Sequence, residues 1–83
     1  MTTDELFDRC LEEFKPDKHC RESRRLDMLY TERDLMCLVS YVEEDDTVVF
    51  TASIYSKREI IYQNWMPAEH FLENFKKYLE LVD

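Results

Sequence analysis

The sequence contains no glycine among its 83 residues. At an average usage of about 7%, roughly six would be expected. Phosphate-binding loops, dinucleotide-binding turns and the Gly-x-Ser-x-Gly nucleophile turn all need glycine, because in each the backbone bends sharply or approaches a ligand closely. The absence of glycine therefore excludes these three kinds of site.

The sequence also lacks a long hydrophobic run. No apolar stretch approaches the roughly 18–20 residues of a membrane span. The first five residues include two acidic residues and no basic one, whereas a signal peptide begins with basic residues. The three cysteines, Cys10, Cys20 and Cys37, are an odd number, whereas a disulfide-bridged secreted scaffold needs an even one. These features predict a cytoplasmic protein with free thiols and no membrane association.

The residues that carry chemistry lack the spacing of a metal or catalytic site. A structural zinc site takes four ligands in paired spacings, and the adjacent His19 and Cys20 do not form such a pair. Cys20 could pair with His19 or His70 as a catalytic nucleophile and base, but the sequence shows no third group that would orient the histidine. We therefore expect no enzymatic activity, no metal and no other cofactor.

What the sequence does contain is enough apolar material for one folded domain. Hydrophobic residues make up 45% of the chain, and 13% of its residues are aromatic.

Nineteen acidic residues against eleven basic ones give a net charge of −8. This charge repels phosphate backbones, so direct binding of nucleic acid is not expected, but it would attract a basic groove on a protein. Solubility alone is the other interpretation of the charge.

Two segments have the 3.6-residue apolar period of a helix. The first covers residues 3–14, where Thr2 and Glu5 have the spacing of a capping box and Pro16 ends the helix. The second covers residues 67–82 and begins with Pro67, a residue suited to the first helical position. Between them, the segment 15–25 has no apolar period and is predicted to be a loop. It holds five of the eleven basic residues: Lys15, Lys18, Arg21, Arg24 and Arg25.

Residues 26–65 have the period of two that is typical of strands, predicted at 26–31, 34–43, 47–56 and 59–65. A turn at Glu32-Arg33 pairs Tyr30 with Leu35, and a turn at Glu44-Asp45 pairs Tyr41 with Val48. Both registers place apolar residues on the same face of one sheet, which a wrong register would not do.

The last strand has two possible registers. Either Ile61 and Trp65 or Ile60 and Tyr62 face the core, and we interpret Trp65 as a core aromatic residue. The predicted fold is α+β: a two-layer sandwich in which a four-stranded antiparallel meander carries the N- and C-terminal helices on one face.

The second face of the predicted sheet is also partly apolar, although a solvated face normally alternates to polar residues. Its apolar residues are Leu29, Met36, Leu38, Val42, Val49 and Tyr55. Apolar patches of this kind mark interfaces with a partner or with a second copy. The alternatives are that the segment 15–25 or the curl of the sheet itself covers this face, or that its apolar residues are scattered surface apolarity.

Acidic residues concentrate at one predicted hairpin turn and along the first helix. They are Glu43, Glu44, Asp45 and Asp46 in the turn, and Asp4, Glu5, Asp8 and Glu12 in the helix. A calcium loop would alternate its ligands and include a glycine, and this run does neither. The run is either a solvated turn or part of a surface that binds a basic partner.

We therefore expect a small acidic, non-catalytic protein-binding protein. It would act as an inhibitor or modulator of a partner with a basic surface, for which it would serve as a nucleic-acid mimic. Carboxylates would steer the encounter, and the apolar sheet face would supply affinity. The alternative is a structural or chaperone-like homodimer that uses the open sheet face.

Overall fold

The computed structural model describes residues 1–82 and contains helices at both ends of an antiparallel sheet. In chain order the elements are α1 (Thr3–Phe14), β1 (Lys18–Arg21), β2 (Arg25–Tyr30), β3 (Leu35–Val42), β4 (Thr47–Ile54), β5 (Glu59–Pro67), α2 (Ala68–Glu73) and α3 (Phe75–Leu79). The five strands lie in sequence order in one sheet. The predicted α+β class is confirmed, but the sheet has five strands and not four.

The additional strand, β1, lies in the segment predicted to be a loop. It pairs antiparallel with β2, with Lys18 opposite Leu29 and Arg21 opposite Leu26. All four of its residues are exposed, so no apolar alternation indicates a strand. Because β1 is held by backbone pairing at the edge of the sheet, the sequence period could not reveal it.

The two central hairpins have the predicted registers. Tyr30 lies opposite Leu35, and Tyr41 lies opposite Val48. Each turn has four residues, at 31–34 and 43–46, and ends in a left-handed aspartate with φ of 52°. The sequence has no glycine for the favoured two-residue turns, and aspartate tolerates the left-handed conformation better than most residues.

Strand β5 follows neither of the two predicted registers. Tyr62 pairs with Ala52 and faces the core, but an irregularity between Ala52 and Ser53 leaves Ile60 on the opposite face, where it is 57% exposed. The prediction that Trp65 is a core residue is wrong, because its side chain is 72% exposed. Met66, which lies opposite Val48, occupies the inward position instead.

The C-terminal helical segment is divided at Asn74. Residues 67–82 were predicted to be one helix, but α2 ends at Glu73 and α3 begins at Phe75. The Asn74 side chain donates a hydrogen bond to the carbonyl oxygen of His70 at 2.7 Å. Asparagine side chains compete in this way for backbone groups that would otherwise continue a helix.

The core lies between the helices and the inner face of the sheet. Phe50 is fully buried at its centre, and its ring is 4.9–6.2 Å from the rings of Phe14, Tyr62, Phe71 and Tyr78. Because α1, α2 and α3 all contribute to this one cluster, the helices occupy a single side of the sheet. The other side, which we call the outer face, is left open within the described residues.

Candidate protein-binding surfaces

The first candidate surface forms where the start of α1 meets the turn between β3 and β4. The backbone amide and hydroxyl of Thr3 donate hydrogen bonds to Glu43 Oε1, at 2.6 Å and 3.0 Å. These contacts join segments 40 residues apart. We call the resulting region the acidic end; it comprises Asp4, Glu5, Asp8, Glu43, Glu44, Asp45 and Asp46. Glu12, which was predicted with this group, lies further along α1 and outside it.

Three carboxylates of the acidic end are fixed by hydrogen bonds within the chain. Glu5 completes a capping box with Thr2, and hydrogen bonds from the Thr2 side chain and then its backbone lower the pKa of Glu5. The amide of Thr3, followed by its hydroxyl, lowers the pKa of Glu43. Asp46 accepts a 2.6 Å hydrogen bond from the hydroxyl of Tyr41. Their charges are therefore held in fixed positions on the surface.

Basic residues of the segment 15–25 provide the counter-charges of this region. Arg21 lies 2.8 Å from Asp8 and 3.3 Å from Asp4, with its guanidinium 5.6 Å from the centre of the Phe7 ring. Arg24 lies 3.7 Å from Glu44. The carboxylates concerned are highly exposed, so these ion pairs contribute little to stability. With two guanidinium groups against seven carboxylates, the acidic end stays strongly negative.

A cleft of about 330 Å³ opens between α1 and the turn. It is lined by Thr2, Thr3, Asp4, Ser23, Arg24, Tyr41, Glu43 and Glu44. The hydroxyl of Tyr41 stays protonated at neutral pH, because burial and, after it, the hydrogen bond to Asp46 raise the pKa of Tyr41 to about 12. The lining carries the carboxylates of Asp4, Glu43 and Glu44 against the one guanidinium of Arg24, so the cleft keeps an excess of acceptors that suit a Lys or Arg side chain.

The second candidate surface is the outer face of the sheet. The predicted apolar residues Leu29, Met36, Leu38, Val42 and Val49 lie here and are half-buried by their neighbours, and Tyr55 is 51% exposed. The segment 15–25 does not cover this face, since β1 extends the sheet at its edge. The face is therefore open, with the apolar character that the sequence indicates.

Two exposed residues that the sequence analysis did not assign to this face, Ile60 and Trp65, extend it onto β5. Trp65 lies opposite Val49 and Ile60 opposite Ser53, so both share a side with outer-face residues of β4. The signal that could have placed them is Met66, the apolar residue that takes the inward position beside Trp65. Sequence reasoning missed them because both alternatives assumed an unbroken alternation along β5.

The outer face of β3, β4 and β5 carries no charged residue within the described chain. Its positions are Met36, Leu38, Ser40, Val42, Thr47, Val49, Thr51, Ser53, Ile60, Gln63, Trp65 and Pro67. At the chain's 36% charged content, about four of these positions would carry a charge. Depletion of charge together with exposed aromatic residues is typical of the centre of a protein–protein interface.

The thiols and other potential ligands do not form a reactive centre within residues 1–82. Cys10 and Cys37 are buried, and burial raises the pKa of each thiol to about 12, which keeps both in the unreactive protonated form. Cys20 is exposed on β1. No group of three or more His, Cys, Asp or Glu side chains in this part of the chain could hold a metal ion.

None of the helices within residues 1–82 has the length and apolar content needed to cross a bilayer. No family model matches the sequence, and neither curated proteins nor solved structures provide a match. The two surfaces are therefore the basis on which a function can be argued.

Proposed function

We propose that this chain is a small non-catalytic protein-binding protein whose acidic end docks on a basic surface of its partner and inhibits or modulates that partner. The observation that carries the proposal is the contact between Thr3 and Glu43. It brings the acidic residues of α1 and of the turn 43–46 to one end of the molecule, beside a cleft whose lining has three carboxylates and one guanidinium.

The electrostatics of this arrangement suit a partner that handles nucleic acid. Carboxylates fixed by Thr2, Thr3 and Tyr41 present negative charge without the entropy cost of ordering it on binding. A net charge of −8 would accelerate the encounter with a basic groove, and this supports an inhibitor that competes with a phosphate backbone. Specificity then depends on the fit between partner and cleft.

The test compares two charge reversals that change the net charge equally. Tagged wild-type protein, Asp4→Lys/Glu44→Lys and Glu69→Lys/Glu73→Lys are used to capture proteins from the lysate of the native host, at low and high salt. The first pair lines the acidic cleft, and the second lies exposed on α2. We expect wild type and the α2 variant to capture the same basic protein at low salt, and the cleft variant to lose it.

The proposal also requires that the captured protein lose its own nucleic-acid binding when the wild-type chain is added in stoichiometric amount. Equal capture by the two charge-reversed variants would show that the acidic end has no specific role. Capture that persists at high salt in all three proteins would equally overturn an electrostatic docking site.

A further inference from the structure

The uncharged part of the outer face is suited to a second copy of this chain. Two molecules that each carry a net charge of −8 repel one another wherever charged surfaces meet. The outer face of β3–β5 is the large surface on which the described residues carry no charge and on which Trp65 and Ile60 are exposed. A basic partner would instead be complemented by carboxylates, which this face lacks.

The two ends of strand β4 differ in charge. The turn before β4, residues 43–46, consists of four carboxylates. The turn after it, residues 55–58, contains Lys57 and Arg58, and the carboxylate of Asp34 contacts this turn by accepting a hydrogen bond from the amide of Ser56. If two copies pack face to face with their β4 strands antiparallel, each acidic turn lies over the basic turn of the other copy. Parallel strands would place like charges together at both ends, so charge favours the antiparallel arrangement.

We propose that the outer face is the interface of a two-fold homodimer in which the β4 strands of the two copies run antiparallel. The five strands lie about 4.8 Å apart, so the face is roughly 24 Å wide. Strands β3, β4 and β5 have eight, eight and nine residues and β2 and β1 have six and four, so the face narrows from about 26 Å at β3–β5 to about 13 Å at β1, before side-chain relief is counted. A stable interface requires about 800 Å² of accessible surface per partner. The uncharged positions of β3–β5 alone fall short of that requirement, so the interface also includes Tyr55 and the outer positions of β1 and β2, where Lys18, Arg25 and Asp27 lie on the same face as Leu29.

The position of Arg58 identifies the polar contact that fixes the alignment. Arg58 lines a hollow of about 480 Å³ on the outer face together with Met36, Ser53, Tyr55, Ser56 and Ile60. At the opposite end of β4, Asp45 is exposed, and within residues 1–82 its carboxylate forms no ion pair or hydrogen bond. In the antiparallel dimer, Asp45 of each copy reaches the hollow that contains Arg58 of the other.

This inference does not rest on the proposed function, although the two share the turn 43–46, which belongs to the acidic end and would face Arg58 of the second copy. Sedimentation equilibrium measures the association, and the emission of Trp65, the single tryptophan, reports whether the outer face is covered. We expect wild type to form a dimer at about 100 µM and its emission to shift to shorter wavelength as concentration rises. Leu38→Glu and Thr51→Glu, two independent changes at the centre of the face, should each give a monomer.

Charge reversal tests the alignment of the two copies. Asp45→Arg and Arg58→Asp should each weaken the dimer about tenfold, and the double variant should recover most of that loss because the pair is restored with opposite polarity. Glu69→Arg, on α2 and away from the face, is the matched control and should leave association unchanged. Asp4→Lys, on the acidic end, should also keep the dimer, which separates this inference from the proposed function.

Three outcomes would overturn the inference. The first is a wild type that is still monomeric at 100 µM. The second is a dimer that survives both Leu38→Glu and Thr51→Glu, which would place the interface elsewhere. The third is a double reversal of Asp45 and Arg58 that is no tighter than the single reversals, which would exclude the antiparallel alignment. Recovery in the double variant cannot come from misfolding, because both single changes are still present.

Discussion

A single residue, Tyr41, connects the core to the acidic end. Its ring is buried among the core residues, its hydroxyl donates a hydrogen bond to Asp46 at 2.6 Å, and the carbonyl oxygen of Met1 lies 3.2 Å from the same hydroxyl. Burial first, then the hydrogen bond to Asp46 and the surrounding carboxylates, raises the pKa of Tyr41 to about 12. The same residue thus stabilises the fold and maintains the cleft in which we propose that a basic side chain binds.

The raised pKa of Tyr41 predicts a loss of stability in alkali. Because the folded pKa exceeds the unfolded value of about 10, this stabilisation is complete below that pH and is lost as the pH rises to about 12. Tyr41→Phe should therefore show a shallower decline in the free energy of unfolding over this window than wild type, as measured by urea denaturation. Tyr55→Phe, with a half-exposed ring, is the matched control and should follow wild type. Parallel curves for wild type and Tyr41→Phe would contradict the prediction.

At the scale of elements, the chain ends α1 and three turns with left-handed residues that are not glycine. They are Lys15, with φ of 47°, and Asp34, Asp46 and Arg58, each with φ of 52°. For lysine and arginine this conformation costs roughly 1 kcal/mol. A backbone hydrogen bond that ends each element offsets this cost. For example, the amide of Lys15 donates to the carbonyl oxygen of Leu11 at 3.2 Å.

Lys15→Gly should stabilise the protein by about 0.5–1 kcal/mol, because glycine adopts this C-terminal capping conformation without strain. Urea denaturation at neutral pH measures the effect. Lys18→Gly removes the same charge from an extended position in β1 and should destabilise the protein, because glycine weakens a strand. Destabilisation by Lys15→Gly as well would show that the lysine side chain, and not its backbone strain, matters at this position.

The sequence predicted those elements in which a buried face imposes a period. α1 covers the residues that the apolar stripe indicates, and the hairpin registers follow because a one-residue slip would expose Val39 and Phe50. β1 has no buried residue and therefore no period, and the stripe of the C-terminal segment passes through Asn74 although the helix stops there. In both cases, local hydrogen bonding determines the structure, and apolar spacing does not detect it.

The candidate surfaces were predictable residue by residue but not as assemblies. The acidic residues are evident in the sequence, yet the contact of Thr3 with Glu43 depends on the tertiary position of α1 beside the turn. The apolar character of Leu38 and Val49 on the outer face is also evident. The extension of that face to Trp65 depends on one irregularity in β5, which displaces Ile60 and leaves Met66 to face the core. Strict alternation does not reveal such an irregularity, and the apolar Met66 beside Trp65 is the indication of it in the sequence.

At the scale of the whole molecule, two electrostatic effects on stability oppose one another. The carboxylates in general repel each other, whereas a few carboxylates, which we call anchors, stabilise the fold through hydrogen bonds. The net charge of −8 destabilises the compact state and falls towards zero as the pH approaches the isoelectric point near 4.7. Glu5, Asp17 and Glu43 act in the opposite sense, since hydrogen bonds from Thr2, Thr31 and Thr3 lower their pKa values. Asp17, for example, accepts from the amide and hydroxyl of Thr31 at 2.8 Å and 2.9 Å.

These opposing effects predict a stability maximum in mild acid. A carboxylate with a lowered folded pKa stabilises the protein above its unfolded pKa, and this contribution is lost as the pH falls through the folded value. The free energy of unfolding should thus rise from pH 7 to about 5 as repulsion weakens, then decline below about 4. Urea denaturation across this range tests the curve.

Glu43→Gln and Asp17→Asn should be less stable than wild type at pH 5 and converge with it in strong acid, whereas Glu12→Gln should run parallel to wild type. A stability that only declines from pH 7 downwards would mean that the anchors, and not the net charge, dominate throughout, and that the acidic surface imposes little cost on the fold.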